Sequence, residues 1–204
     1  MSKYPFIVIE GNIGVGKTSL AKSLSEKWNY NLLLEEFERN EFLHDFYLDA
    51  SKVGFQTELR FILDRFNQLK VALEQDAPLI SDYFIEKSLI FAENSLSARE
   101  FTLFKEVYDV LFSKIRRPDL YVYLNSDVNR LRSNILKRDR KMEHSISIEY
   151  LDQINKGYLK YVSAHKDLNS LVIDTSKTDF IRYPQDLLEI EQLIQSCLPQ
   201  AFQE

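Results

Sequence analysis

VIEGNIGVGKTSL, residues 8–20, contains Gly11, Gly14 and Gly16, three of the five glycines in a chain of 204 residues. Gly11 to Thr18 satisfy G-x-x-x-x-G-K-[ST], and the spacing has a mechanical reason. Glycines let successive backbone N–H groups point into one concavity, at the positive end of the following helix, where a polyphosphate is held. Gly11, Asn12, Ile13, Gly14, Val15, Gly16, Lys17, Thr18 and Ser19 are therefore the candidate ATP site. Lys17 can then reach the terminal phosphates, and the Thr18 hydroxyl can ligate Mg²⁺. A chance match in a glycine turn is the bland alternative. It loses to context, because the match lies between a predicted strand and a predicted helix.

Outward from the loop, short β-branched or apolar runs alternate with helix-spaced patterns. Strands are expected over residues 4–10, 31–35, 78–83, 118–124 and 170–175. Helices are expected over 18–28, 40–49, 52–75, 86–93, 97–114, 127–138, 148–166 and 184–197. This alternation predicts an α/β fold of the P-loop NTPase type: a five-stranded parallel sheet, helices on both faces, ligands at the carboxyl ends of the strands. No Pro/Gly/Ser-rich linker, low-complexity tract or repeat interrupts it, so residues 1–204 are expected to form one domain.

Composition narrows the partners. Hydrophobic residues are 45% and aromatic residues 13% of the chain, which supports a sizeable core and argues against disorder. A formal net charge of -5 offers no global attraction for nucleic acid or an anionic membrane, so neither is expected and any anion site is local. Cys197 is the only cysteine, which excludes an internal disulfide and a cysteine-cluster metal site. The apolar run at residues 4–9 is too short for a signal segment or a membrane span, and a cytoplasmic location is the expectation.

The loop identifies what is held, but not what receives the phosphoryl group. No Asn-Lys-x-Asp stretch follows a strand, as a GTPase requires, and no later strand ends in the paired Asp-Glu of a conventional ATPase. Three segments point instead to a small acceptor. The second strand runs into Glu35, Glu36 and Glu38. A carboxylate there shares an edge with the phosphate loop, so Glu35 is placed to take a proton from an attacking hydroxyl. The competing reading is a solvated acidic turn. Tyr47, Phe55 and Gln56 follow in FYLDASKVGFQTELRF. A glutamine amide suits a nucleobase edge, a tyrosine hydroxyl suits a sugar hydroxyl and an aromatic ring stacks on a base, although such a stripe is more often core. The third segment, RLRSNILKRDRKME, crowds Arg130, Arg132, Lys137, Arg138, Arg140 and Lys141 around a helix end. Arg138 and Arg140 can close over the transferring phosphate as a lid, over roughly residues 134–145. Asp139 and Glu143 interleave, so a solvated basic face is the alternative.

In order along the chain, GNIGVGKTS, LLLEEFERNEFLHDFYLD, GFQTELRF, KSLIFA, PDLYVYL, KRDRKME and the YL at residues 150–151 resemble the deoxyribonucleoside kinases, in their bacterial deoxyadenosine and deoxyguanosine kinase branch. The resemblance covers nearly the whole chain. It implies a homodimer that transfers the γ-phosphate of ATP, with Mg²⁺, to the 5'-hydroxyl of a deoxynucleoside in nucleotide salvage. Purine acceptors are expected, deoxyadenosine first. The resemblance sets Glu35 on the family's general base, followed by Glu36 where proline is usual. It sets Tyr47 on the contact to the sugar 3'-hydroxyl, and Gln56, with Phe55 beside it, on the contact to the base. Arg138 and Arg140 fall on lid arginines, and Glu143 on the lid carboxylate that touches the sugar.

Two departures stand out. The family's Glu-Arg-Ser or Asp-Arg-Thr stretch is Ser81-Asp82-Tyr83 here, without the arginine. Its place beside the acceptor then falls to Lys87 or Arg60, and Asp82, with Glu35, becomes a candidate for outer-shell contact with Mg²⁺. A lid arginine one turn before Arg138 is Asn134, with Arg130 or Arg132 as substitutes. A nucleoside monophosphate kinase of the thymidylate kinase type, to which LISDYF is similar, and a regulator that binds nucleotide without transfer are the alternatives.

Overall fold

Strand β1 (Phe6–Gly11) is buried at every position, as a strand covered on both faces must be. In the computed structural model, which describes residues 3–202, it lies at the centre of a five-stranded sheet. The elements run β1, α1 (Lys17–Trp28), β2 (Asn31–Leu33), α2 (Leu43–Leu48), α3 (Ala50–Leu73), β3 (Leu79–Ser81), α4 (Glu86–Ser95) and α5 (Ala98–Phe112). They continue with β4 (Leu120–Asn125), α6 (Val128–Arg138), α7 (Ile148–Ala164), β5 (Ser170–Asp174) and α8 (Pro184–Cys197). The strand order is β2-β3-β1-β4-β5 and every pairing is parallel. Each expected strand and helix is present, with ends shifted by a few residues.

Alternation within single strands divides the core. Ile7 and Ile9 of β1, with Val122 and Leu124 of β4, pack on Leu20 and Leu24 of α1, Leu131 of α6 and Ile194 of α8. Phe6 and Val8, with Tyr121 and Tyr123, face the other way onto Ile62 and Leu69 of α3, Phe104 of α5 and Tyr158 of α7. Sequence runs that read as uniformly apolar are therefore two interleaved faces of one sheet. Among the described residues no helix is long and apolar enough to cross a membrane.

The parallel arrangement brings all five carboxyl ends to one edge, where ligands bind in open α/β sheets. Two strands end sooner than expected. β2 stops at Leu33 and β3 at Ser81, so Glu35 and Asp82 sit on the first turns of loops beyond the sheet rather than inside it.

Candidate active site

At the end of β1 the chain turns through Gly14 at φ 83 and Gly16 at φ 102, both left-handed. A side chain at Gly16 would also place its Cβ 2.8 Å from the Phe180 ring. Helix α1 starts after Gly16 with no capping side chain, which leaves its first-turn amides open to an anion. Lys17 folds back over the loop: its Nζ donates to the carbonyls of Gly11 at 2.7 Å and Asn12 at 2.9 Å. Burial, and then the charge of Lys87, lower its pKa to about 8. A cleft of about 530 Å³ opens here, lined by Gly14 to Ser19, by Arg130, Asn134, Arg138 and Arg140, and by the loop after β5.

Gly11 and Asn12, also expected at ATP, do not line this cleft, and Ile13 faces a second one. The Asn12 side chain is buried and works as a brace. Its Nδ2 donates to the Leu151 carbonyl at 2.7 Å and Asn155 Oδ1 at 2.8 Å, and its Oδ1 accepts from the Ile13 amide.

The second cleft, of about 480 Å³, lies on the far side of the loop among α2, α3, α4 and the lid. Glu35 is on its floor. Oε1 accepts from Arg65 Nε at 2.8 Å and Nη2 at 2.6 Å, and Oε2 accepts from Lys87 Nζ at 2.5 Å. Burial by itself would raise this carboxyl; Lys87 and Arg65 overcome it and hold Glu35 far below the usual carboxylate range. Lys87 and Arg65 thus both line this cleft as partners of Glu35. Arg60 does not, since it pairs with Glu41 and Asp64. Asp82 links the two halves of the site: Oδ2 accepts from Thr18 Oγ1 at 2.5 Å and Oδ1 from the Glu35 amide at 2.8 Å.

The lid behaves as a charged clasp. Glu143, buried, accepts from Arg138 Nη2 and from Arg140 Nη1, and Arg140 stacks on Phe37 with 4.4 Å to the ring centroid. Asn134 donates to the Gly14 carbonyl at 3.0 Å. Of its two proposed substitutes, Arg130 lines the first cleft, whereas Arg132 donates to the Glu143 and His144 carbonyls and lines neither. Tyr47 lines the second cleft with Phe46, Phe61, Phe91 and Tyr150.

Phe55 and Gln56, expected at the base, lie elsewhere on α3. Gln56 is exposed and Phe55 is half-buried against the core of α3, and neither lines the cleft. Two residues along a helix is a rotation of about 200°, so the cleft instead receives Glu58. Its side chain is in a residue only 2% exposed. Oε1 accepts from Ser95 Oγ at 2.9 Å, and Oε2 is buried without a hydrogen-bond partner among the described residues. Burial pushes its pKa up to about 7, against the pull of Arg65, Ser95 and Lys87. The signal for it was the spacing Glu58, Phe61, Arg65, at i, i+3 and i+7 on one helix face.

Five residues, Gly14, Lys17, Thr18, Arg138 and Arg140, line both clefts. Among the described residues no group of three or more His, Cys, Asp or Glu could hold a metal. The Thr18 hydroxyl, oriented by Asp82, instead fits Mg²⁺ of the kind bound mainly through substrate phosphates.

Residues 7–198 match the family model described as deoxynucleoside kinase. The chain is 34% identical to a deoxyguanosine kinase of Bacillus subtilis over 198 residues, covering 93% of this chain and 96% of that one. It is 25% identical to a deoxyadenosine/deoxycytidine kinase of the same organism over 204 residues, covering 96% and 94%. A solved structure of deoxyadenosine kinase from M. mycoides with bound dATP superposes with a TM-score of 0.81 at 25% identity, covering 93% of this chain and 98% of that chain.

Proposed function

We infer the reaction from the premise that this chain belongs to the deoxynucleoside kinase family. The enzyme is an ATP-dependent phosphotransferase that phosphorylates a deoxynucleoside. The finer assignments rest on one observation: two clefts on opposite sides of the phosphate loop share Lys17, Thr18, Arg138 and Arg140. A donor in the first and an acceptor in the second meet only there.

ATP occupies the first cleft, with its phosphates on the amides of residues 14–19 and on Lys17. Thr18 would hold Mg²⁺ together with ATP, and the ion would supply neutralisation of phosphate charge. In the second cleft the 5'-hydroxyl of a purine deoxynucleoside lies against Glu35. Phosphoryl transfer is loose in its transition state, so such a carboxylate orients the nucleophile and takes its proton late. Arg65 and Lys87 fix the carboxylate in place. Tyr47 and Glu143 face the sugar, Arg138 and Arg140 meet the charge of the transferring group, and closure of the lid excludes water.

A monophosphate acceptor needs a free cation on the acceptor side. Lys87 and Arg65 are both committed to Glu35, which leaves Lys22 and Arg39 as the cations of this cleft that such an acceptor would have to use. The test is ATP consumption with the four deoxynucleosides, their ribose forms and their monophosphates. Turnover with a purine deoxynucleoside is expected. Turnover with monophosphates alone, or with no acceptor, would overturn the assignment.

A further inference from the structure

We propose that Glu58 reads the nucleobase, and that its ionised carboxylate selects guanine over adenine through donors that only guanine presents side by side. This rests on the nucleoside kinase reading above and names the base that reading left open. It departs from the expectation that deoxyadenosine comes first.

Position carries the first part. Glu58 lines the acceptor cleft on the same face of α3 as Arg65, which holds Glu35, and two turns from it along the helix. The apolar and aromatic walls at this end, Phe61, Phe91 and Tyr150, suit the faces of a base. Around them Glu58 Oε2 is a buried acceptor with no partner. Leaving such an atom unpaired is costly, and a ligand donor removes the cost.

Chemistry carries the second part. An ionised carboxylate only accepts hydrogen bonds. Guanine offers N1–H and the N2 amino group next to each other, so both donors can serve one carboxylate. Adenine offers its N6 amino group beside the N1 lone pair, which a carboxylate repels. A protonated Glu58 reverses the preference, because its O–H can donate to adenine N1 while the other oxygen accepts from N6. The proton on Glu58 therefore decides which purine is complementary. A pocket that leaves a polar group unpaired discriminates strongly between ligands.

The groups facing Glu58 set when that proton leaves. Arg65 on its own helix and Lys87 on α4 favour ionisation, as does the Ser95 hydroxyl, while Glu35 opposes it. Tyr47 from α2 and Tyr150 from α7 close the remaining sides and stay neutral, their pKa values raised first by burial. With burial placing the Glu58 carboxyl at about 7, the choice falls within the physiological range.

Equilibrium affinity and kcat/KM for deoxyguanosine, deoxyadenosine and deoxyinosine should be measured across pH with the full chain. The deoxyguanosine to deoxyadenosine ratio is expected to rise by about tenfold or more between about pH 6 and pH 8, as a group titrating near neutrality ionises. Deoxyinosine, which keeps N1–H and lacks the N2 amino group, should fall between them. Glu58→Gln should lower the ratio and remove its pH dependence, because an amide can serve either purine. Ser95→Ala removes a donor to the ionised form and should move the midpoint of the ratio to higher pH, and it decides the matter if Glu58→Gln does not fold. A ratio that is flat with pH in the natural protein, or unchanged in Glu58→Gln, overturns the proposal. Failure of the kinase reading looks different: pH-dependent base selection in binding, with no turnover of any nucleoside.

Discussion

Arg65 places two nitrogens on one oxygen of Glu35, Nε at 2.8 Å and Nη2 at 2.6 Å, while its third, Nη1, is anchored on Ser88 Oγ at 2.7 Å. The carboxylate's angle is thus fixed from α3, an element that sequence motifs around Glu35 do not include. Arg65→Met should destabilise the fold by about 3 kcal/mol, the general cost of stripping one partner from a buried pair. It should also lower kcat more than it raises the nucleoside KM. Thermal unfolding and steady-state kinetics on the same preparation test both parts, and an unchanged kcat would remove Arg65 from the positioning role.

Glu35→Gln keeps the size of the side chain and its contact with Arg65 but loses the charge. Turnover should drop by about 10²–10⁴-fold, the usual range for a lost acid–base group, while nucleoside affinity stays within a few-fold. The pH profile is informative too. Glu35 is held well below its ordinary pKa, so the stability it contributes is present above the unfolded value of about 4.5 and is lost as pH falls through the folded one. Acid denaturation followed by circular dichroism should show a weaker pH dependence below about pH 4.5 in the variant. Near-normal turnover would show that another group orients the hydroxyl.

Lys17 is also shifted down, but for a lysine a lowered pKa disfavours the charged form. Its pKa of about 8 lies under the ordinary lysine value of 10.5. Between these values the unfolded chain binds a proton that the folded one has released, so this group makes stability rise with pH from about 8 to 10.5. ATP phosphates draw that proton back. Binding at about pH 9 should therefore take up close to one proton, read by calorimetry in two buffers of different ionisation heat. Zero uptake would mean that Lys17 is already charged in the free protein.

Thr18 and Asp82 act as a unit through their 2.5 Å hydrogen bond. Thr18→Val should raise the Mg²⁺ concentration needed for half-maximal turnover, and Asp82→Asn should do so less severely because an amide oxygen still accepts from Thr18. A metal titration at saturating ATP distinguishes them. Equal, negligible shifts would place the metal elsewhere.

Glycine spacing and strand-helix alternation made the donor half readable, because a backbone cradle has few sequence solutions. On the acceptor side, residues picked out at a strand end or in a charge cluster, Glu35, Asp82, Arg138, Arg140 and Glu143, line one cleft together with Tyr47. Rotation about α3 was not readable. Helix-spaced apolar residues defined the helix there, yet Glu58 and Arg65 are nearly as buried as Ile62 and Leu69. Charged residues at the core face of a helix look like surface until the partner that compensates them is known. That partner, Glu35, is 30 residues away in sequence from Arg65.

The brace at Asn12 has a mechanical consequence. Asn12 ties the phosphate loop to Leu151 and Asn155 on α7, and Asn134 ties α6 to the Gly14 carbonyl. The lid hangs between those two helices, so both of its feet stand on the loop it covers.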